Sequence, residues 1–253
     1  MKITTVNEES EKVFWDHISE DPINHYFFIF DWIKNRDKTR VLLATENGKI
    51  EGLMLVYDSY IVQLRGNRLA VKALLDNLNL DRVELQAPME CEDLVLAKFT
   101  HKIKHRMDVM SLKKGEENIM ISTNAEKPTF ADADEIAQLM REGDPEWWGD
   151  VTAEGIRTKM ETSLWLVIRQ DSRVASAGMA RPTEFGSNIG IIATKEGYRN
   201  RGYATSIVSA LLKEILKVSP TALIHVLSDN SPAIRAYSKV GYRRHATYLA
   251  LRT

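Results

Sequence analysis

Apolar residues in the second half of the chain first occur in short runs that are typical of β-strands. Strands are predicted at Leu164–Arg169, Val174–Arg181 and Asn188–Thr194, because each run is rich in apolar residues and is bounded by turn residues. Such short connections join neighbouring antiparallel strands. The pattern therefore predicts an antiparallel meander of three strands.

A helix is predicted after the meander, since apolar residues then recur at intervals of three and four positions. These residues are Ala204, Ile207, Val208, Leu211, Leu212 and Ile215. A strand at Ala222–Leu227 precedes a second helix, which begins at Ser231-Pro232 and ends at Gly241, as the serine, proline and glycine signals indicate. A last strand is predicted at Ala246–Leu251.

A polar stretch between Lys113 and Thr129 interrupts the apolar periodicity and predicts a domain boundary. Because 253 residues suit two domains better than one core, we divide the chain into residues 1–117 and 118–253. Ile119–Ser122 is predicted as the first strand of the second domain. Asp132–Met140 is predicted as a helix, and Glu142–Gly149 as a loop or a broken helix.

The first half of the chain repeats the same order of elements. A hairpin signal, Glu46-Asn47-Gly48-Lys49, separates the first two predicted strands. The predicted elements are Arg40–Thr45, Ile50–Tyr57 and Tyr60–Leu64 (strands), Leu69–Leu78 (helix), Arg82–Gln86 (strand), Asp93–Phe99 (helix) and Asp108–Leu112 (strand). The shared order in both halves indicates a duplication.

Composition excludes several classes of protein. A net charge of -1 lacks the broad positive surface that sequence-independent nucleic-acid binding needs, so no nucleic-acid partner is expected. No apolar run spans a bilayer and the N-terminus lacks a signal-peptide pattern, so we expect a cytoplasmic protein without a membrane partner. The single cysteine, Cys91, indicates neither a disulfide nor a metal site, and we expect it to pack at the start of a helix.

The segment IIATKEGYRNRGYATSIVSALL carries the main chemical signal. A strand ends at Thr194, a loop rich in Gly, Arg and Asn follows, and a helix begins near Gly202. Backbone N–H groups and the positive end of the helix dipole then converge on one point, where Arg199 and Arg201 add positive charge. This arrangement favours an anion site, although an ordinary strand-to-helix turn has a similar pattern.

Residues Arg199–Ala204 resemble the acyl-CoA diphosphate motif [QR]-x-x-G-x-[GA] of the GCN5-related N-acetyltransferases. Asp229–Tyr242, DNSPAIRAYSKVGY, is similar to the second signature of the same family, an Asn followed by Ala, Tyr, Gly and an aromatic residue. The resemblance covers roughly residues 119–251, and the two motifs occur in the expected order on the expected elements.

This resemblance implies an α/β fold with a mixed, mostly antiparallel, V-splayed sheet flanked by helices, present as two tandem copies of which the first is degenerate. It also implies direct transfer of an acetyl group from acetyl-CoA to a primary amine, in a ternary complex and without a metal. The acceptor would be a small-molecule or peptide amine, and the protein a monomer or homodimer.

The resemblance also implies which residues contact acetyl-CoA. The expected set is Ile192, Ala193, Thr194, Arg199, Asn200, Arg201, Gly202, Tyr203, Ala204, Thr205, Asn230, Ala233 and Tyr237. Tyr237 matches the family's tyrosine near the CoA sulfur and would act as general acid, whereas its helical spacing also suits a core tyrosine.

The general base and the acceptor site are less well marked. His225 is the first candidate for the base, since some relatives carry a glutamate at its position, but a histidine in an apolar strand also suits a core role. Glu184, Glu146 or a water chain are alternatives. Trp147 and Trp148 fall where relatives place an acceptor-lining loop, so these two and Glu184 are candidate substrate residues.

The first half lacks both motifs. Its corresponding segment, VQLRGNRLAV, has Arg65-Gly66-Asn67-Arg68 without a full diphosphate motif, and no Asn precedes its second helix. We therefore expect that the first copy has lost CoA binding. Two other classes remain open: a non-catalytic acyl-CoA sensor, and a modification factor that docks on RNA or protein through its first half.

Overall fold

The chain forms two compact units, and each of them is built from more than one segment of the sequence. The computed structural model describes residues 1–253. One unit contains Met1–Asp108, Leu227–Asp229 and Ala246–Thr253, and the other contains Val109–Val226 and Asn230–His245. The last strand of the chain thus belongs to the first unit. The boundary after residue 117 stays a prediction about the duplicated sequence.

The first 113 residues form six strands and four helices. The strands are β1 (Lys2–Thr5), β2 (Thr39–Glu46), β3 (Lys49–Tyr57), β4 (Ile61–Gly66), β5 (Glu84–Pro88) and β6 (Ile103–Lys113), and the helices are α1 (Glu11–Glu20), α2 (Tyr26–Lys34), α3 (Arg68–Asp76) and α4 (Glu92–Lys98). The elements predicted here are confirmed, although β6 begins at Ile103 rather than Asp108, and β1, α1 and α2 were not predicted. Cys91 is buried at the start of α4, where burial raises the pKa of its thiol to about 11.

The sheet of the first unit is mixed. Strands β1 to β4 are antiparallel neighbours in chain order, and β4 pairs with β5 in parallel. Antiparallel to β5 runs β11 (Arg243–Arg252), the C-terminal strand, with Leu249 opposite Ala87. Helices α3 and α4 cover one face, and α1 and α2 cover the other, each over its own apolar cluster.

The second unit contains the predicted meander and the helices around it. The elements that follow β6 in this unit are α5 (Ala133–Gly143), α6 (Pro145–Trp148), α7 (Ala153–Thr162), β7 (Leu164–Gln170), β8 (Arg173–Arg181), β9 (Ser187–Thr194), α8 (Tyr203–Ile215), β10 (Thr221–Leu227) and α9 (Ser231–Lys239). The strands β7, β8 and β9 are the predicted meander. Strands β7, β8 and β9 are antiparallel, and β9 pairs with β10 in parallel. The α/β fold with a mixed, mostly antiparallel sheet is therefore confirmed.

Two apolar clusters separate the faces of this second sheet. One lies under α8 and α9, and includes Ile189, Ile207 and Tyr237. The other lies under α5 and α7, and includes Ile156, Met179 and Ile191. Helix α7 was not predicted, because Ile156 is the only fully buried apolar residue in its polar sequence. We call the two sides the α8 face and the α5 face.

The prediction of a strand at Ile119–Ser122 is wrong. This segment pairs with no strand and instead lies along α8, where the Met120 N–H donates to Ser209 Oγ (2.9 Å) and the Ser122 N–H donates to Ser206 Oγ (3.1 Å). Both serines are buried, and their hydroxyl groups need polar partners. The apolar pattern resembles a strand, but side chains of α8 satisfy its backbone.

A buried histidine predicts a pH-dependent stability of the first unit. Burial, followed by the nearby Arg65 charge, lowers the pKa of His25 to about 4, and its Nδ1 lies 3.0 Å from the carbonyl oxygen of Asp21. Because the unfolded chain binds this proton near pH 6.5 and the folded chain does not, stability falls as pH drops from 6.5 toward 4, by up to about 3 kcal/mol.

Denaturant unfolding at several pH values checks this expectation. The His25→Asn variant should lose less stability than the parent over that range, whatever its stability at neutral pH. Equal pH slopes for the two proteins would contradict the assignment.

Candidate active site

A β-bulge at Gly190 shapes the centre of the second unit. Ala180 on β8 lies opposite Ile189, whereas its neighbour Met179 lies opposite Ile191, so Gly190 is the extra residue of β9. Parallel pairing between β9 and β10 covers only Ser187–Ile189 and ends at this bulge. A bulge bends its strand and disrupts the ladder. Beyond it, no strand pairs with the β9 edge that faced β10.

A loop of eight residues connects β9 to α8, and it contains two residues with positive φ, Asn200 (φ 63°) and Gly202 (φ 81°). Gly202 is the N-cap and contributes no side-chain hydrogen bond, so the first-turn amides of Tyr203, Ala204 and Thr205 have no capping group. Such a helix start binds anions. The loop therefore has the backbone geometry of the predicted diphosphate site.

The two loop arginines have different positions. Arg199 donates from Nε to the Thr194 carbonyl oxygen at 3.3 Å, so it folds back on the end of β9. The guanidinium of Arg201 lies over the Tyr198 ring, with Cζ 5.3 Å from the ring centroid. Both side chains are exposed at the rim of the loop. They supply positive charge without filling the space in front of the α8 amides.

Ser122 is a further residue of this loop region that the sequence pattern does not reveal. Its hydroxyl oxygen lies 3.0 Å from Ser206 Oγ and 3.2 Å from the position that a Cβ on Gly202 would take. A hydroxyl group thus flanks the first turn of α8. Sequence motifs could not reveal Ser122, because it is about 80 residues away from Arg199–Ala204 along the chain.

Asn230 and Tyr237 lie on the second signature helix, α9. The Asn230 side chain caps the helix by accepting from the Ala233 N–H at 3.2 Å, which leaves its Nδ2 group as a donor. Tyr237 is buried in the cluster on the α8 face, 6.3 Å from the Tyr242 ring between ring centroids. Burial raises the pKa of the Tyr237 hydroxyl above its usual range, so it stays protonated at neutral pH.

His225 is on the α5 face of the sheet, opposite to Tyr237. Its neighbours Ile224 and Val226 belong to the α8-face cluster, and strand residues alternate between faces. The last β10 residue paired with β9 is Ile224, so His225 follows directly where the strands part. His225 and Tyr237 therefore lie on opposite faces of the sheet, near the point where β9 and β10 separate.

Three polar residues on the α5 face were missed from the sequence. Asn188 on β9 lies opposite Arg181 on β8, and Arg181 Nη1 is 3.4 Å from the position that a Cβ on Gly190 would take. Asn188 is 2% exposed, and its Oδ1 accepts no hydrogen bond. Lys159 on α7 is half-buried, and burial and the Arg181 charge lower its pKa. In the sequence, the only hint of these residues was Asn188, a single asparagine within an apolar strand.

The predicted acceptor residues occupy two connections of the second unit. Asp144 caps the short helix α6 by accepting from the Trp147 N–H at 3.2 Å, so the prediction of a broken helix is confirmed. Trp148 packs against the α5-face cluster, and Glu146 is exposed beside it. Glu184 is exposed in the turn between β8 and β9. The two carboxylates are thus open to solvent.

The first unit has a different structure at the equivalent positions. Helix α3 begins two residues after β4 ends, and the Asn67 side chain caps it by accepting from the Ala70 N–H at 3.0 Å. A side chain on Gly66 would collide with the backbone of Glu51 and Gly52. The loop is absent, and the helix start already has a polar cap. The first unit therefore lacks the anion-binding geometry of the second.

A buried arginine fills the adjoining part of the first unit. Parallel pairing of β4 with β5 ends at Gln63 opposite Gln86, and Arg65 then extends its guanidinium along the sheet. Arg65 donates to Gln86 Oε1 at 2.7 Å and to the Asn24 carbonyl oxygen at 2.9 Å, and it stacks 4.0 Å over the Tyr248 ring. Protein side chains thus occupy the space beyond the last strand pair.

Comparisons with known proteins show which folds this chain is similar to. Residues 164–250 match the family model described as FR47-like protein. The fold is similar to that of a protein from Drosophila (12% identity, TM-score 0.75, covering 98% of both chains). It is also similar to an acetyltransferase of the GNAT family from Colwellia psychrerythraea (12% identity, TM-score 0.61, covering 100% of this chain and 99% of that chain).

A tandem GNAT protein from the clavulanic acid biosynthesis pathway has a similar fold as well (10% identity, TM-score 0.51, covering 84% of this chain and 82% of that chain). No curated protein matches the sequence at a significant level. Helices in this chain are all too short or too polar to cross a membrane. No three His, Cys, Asp or Glu side chains come together in a way that could hold a metal ion.

Proposed function

We propose that the chain is a member of the GCN5-related N-acetyltransferase superfamily and that its second unit transfers an acetyl group from acetyl-CoA to an amine. The observation that carries the proposal is the uncapped start of α8 beside the open edge of β9. An anion held by the α8 amides would lie at the end of a β9 edge that no other strand covers. Acetyl-CoA has a diphosphate that could bind the α8 amides and a pantetheine arm that could pair with the β9 edge.

The cosubstrate makes two kinds of contact in this proposal. The amides of Tyr203, Ala204 and Thr205 donate to the diphosphate, and Asn200, Arg201 and Gly202 form the rest of the cradle. The pantetheine amides pair with the backbone of Ile192 and Thr194 as an added strand would, while Ala193 keeps its side chain on the α5 face. Asn230 Nδ2 donates to the same arm.

Transfer is direct in this account. The amine nitrogen loses a proton to His225 and attacks the thioester carbonyl carbon, and the C–S bond then breaks. Backbone N–H groups of the β9 edge stabilise the oxyanion, and the Tyr237 hydroxyl gives its proton to the departing sulfur. Because burial keeps Tyr237 protonated, the hydroxyl meets the thiolate as a donor.

Acetyl-CoA is expected to bind one site per chain, in the second unit. Gly202→Glu places a carboxylate against the diphosphate and should weaken binding at least about 100-fold. Gly48→Glu is the matched control, since Gly48 has nearly the same φ (79° against 81°) in a hairpin of the first unit. Calorimetry that finds two sites per chain, or tight binding to Gly202→Glu, would overturn the site.

Tyr237→Phe is expected to lower kcat by about 10² to 10⁴ and to leave the Kd for acetyl-CoA nearly unchanged, because phenylalanine keeps the ring and removes the acid. Tyr242→Phe is the control. Its hydroxyl is buried without a hydrogen-bond partner, so its loss should leave kcat unaltered and stability equal or higher. Thiol release in single turnovers measures kcat, and an unchanged rate for Tyr237→Phe would make Tyr237 a packing residue.

The kcat/KM of the parent is expected to rise with pH through one ionisation, because imidazole accepts a proton only when neutral. His225→Gln should lose this ionisation and still bind acetyl-CoA, whereas the exposed His101→Gln should keep it. If His225→Gln retains both the rate and the pH profile of the parent, the base is Glu184, Glu146 or bound water.

A further inference from the structure

Two cavities adjoin each other between α5 and the C-terminal end of β9. The larger has a volume of about 320 Å³ and the smaller about 260 Å³, and Leu139, Glu142 and Lys195 line both of them. Together they reach the size of small-molecule sites, roughly 300 to 1,000 Å³. The proposed acetyl transfer places no reacting group in either cavity. The cavities are therefore candidates for a part of a ligand that does not react.

The smaller cavity shares two residues with the predicted acetyl-CoA site. Thr194 and Arg199 line it, and they are joined to each other, since Arg199 Nε donates to the Thr194 carbonyl oxygen at 3.3 Å. In the proposed site, the pantetheine runs from the α8 amides back along residues 192–194 of β9. The diphosphate joins the pantetheine to adenosine, so the adenosine half extends past the end of β9, where the smaller cavity lies.

Lys195 is an unpaired cation on the wall of both cavities. Its backbone is fixed, because its N–H donates to the Ala175 carbonyl oxygen and its own carbonyl oxygen accepts from the Tyr198 N–H, each at 2.9 Å. Its Nζ, in contrast, has no hydrogen bond or ion pair within the chain. Arg173, in the larger cavity, is already paired with Glu135 at 2.8 Å. An ammonium group without a partner on a fixed backbone favours an anionic ligand.

Carboxylates on the same walls narrow the choice of anion. Glu142 accepts from Gln138 Nε2 through one oxygen at 2.7 Å, and its other oxygen accepts no hydrogen bond within the chain. Glu196 is exposed at the smaller cavity. A bare phosphate would meet these carboxylates as well as Lys195 and Arg199, so it gains little. Adenosine 3′-phosphate suits both signs of charge, because it has a phosphate for the cations and amino and hydroxyl donors for the carboxylates.

We propose that the smaller cavity binds the adenosine 3′-phosphate end of acetyl-CoA, with Lys195 and Arg199 at the 3′-phosphate and the Glu142 carboxylate accepting from the adenine amino group. This inference rests on the proposed acetyl transfer from acetyl-CoA. It makes Lys195 the residue by which the chain distinguishes CoA from dephospho-CoA, which lacks only the 3′-phosphate.

Calorimetry on the full chain tests the inference without requiring turnover. CoA and dephospho-CoA are titrated in the same buffer, and their Kd values are compared. CoA should bind about tenfold to a hundredfold more tightly, since hydrogen bonds between charged groups are the stronger ones. Equal Kd values for the two compounds would overturn the proposal.

Substitutions then assign the preference to these residues. Lys195→Met should weaken CoA and leave the Kd for dephospho-CoA unchanged, which also shows that the variant is folded. Lys195→Arg should retain the preference for CoA, and Lys213→Met, at an exposed position of α8, should leave it unaltered. Glu142→Ala should weaken both compounds by the same factor, because both contain adenine. A preference that survives in full in Lys195→Met would contradict the assignment.

Thiol release from acetyl-CoA in the presence of amines separates this inference from the proposed function. Binding that prefers CoA through Lys195, without acetyl transfer, would retain the 3′-phosphate site and refute the transferase. Acetyl transfer with equal Kd values for CoA and dephospho-CoA would retain the transferase and refute the 3′-phosphate site. Binding of neither compound would refute both.

Discussion

The bulge at Gly190 is the constraint on which the site depends. Pairing between β9 and β10 covers Ser187–Ile189 and stops at this extra residue, because a bulge disrupts the ladder. Beyond it, the β9 edge that faced β10 is not covered by another strand. Residues after the bulge also change faces, so that Ile189 and Ile191 join different apolar clusters. The bulge thus creates the opening and orients the residues around it.

The two halves show how one topology serves different roles. Both have three antiparallel strands, a helix and a parallel strand, but the connection to the helix differs. The eight-residue loop before α8 ends in an uncapped helix start, whereas Asn67 caps α3 immediately after β4. Arg65 then occupies the region beyond the last β4–β5 pair. The two helix starts therefore differ in their free backbone N–H groups while the order of strands and helices around them is the same.

Sequence patterns predicted most of the fold and the loop that leads into an uncapped helix start at Gly202, since apolar periodicity and the motif at Arg199–Ala204 are local signals. They failed where structure depends on distant partners. Ile119–Ser122 resembles a strand, but Ser206 and Ser209 bind its backbone. Arg181, Asn188 and Lys159 come together only through strand register and helix packing. The pairing of β11 with β5 was likewise invisible, because no local pattern records which half receives the last strand.

Amide hydrogen exchange, resolved residue by residue by NMR, tests the central claim most directly. The diphosphate is proposed to lie at the α8 amides and the pantetheine along the β9 edge. Acetyl-CoA should therefore slow exchange at Tyr203, Ala204 and Thr205 and along residues 191–194, and leave residues 64–70 of the first unit unaffected. Protection at residues 64–70, or none at the α8 amides under saturating acetyl-CoA, would contradict the account.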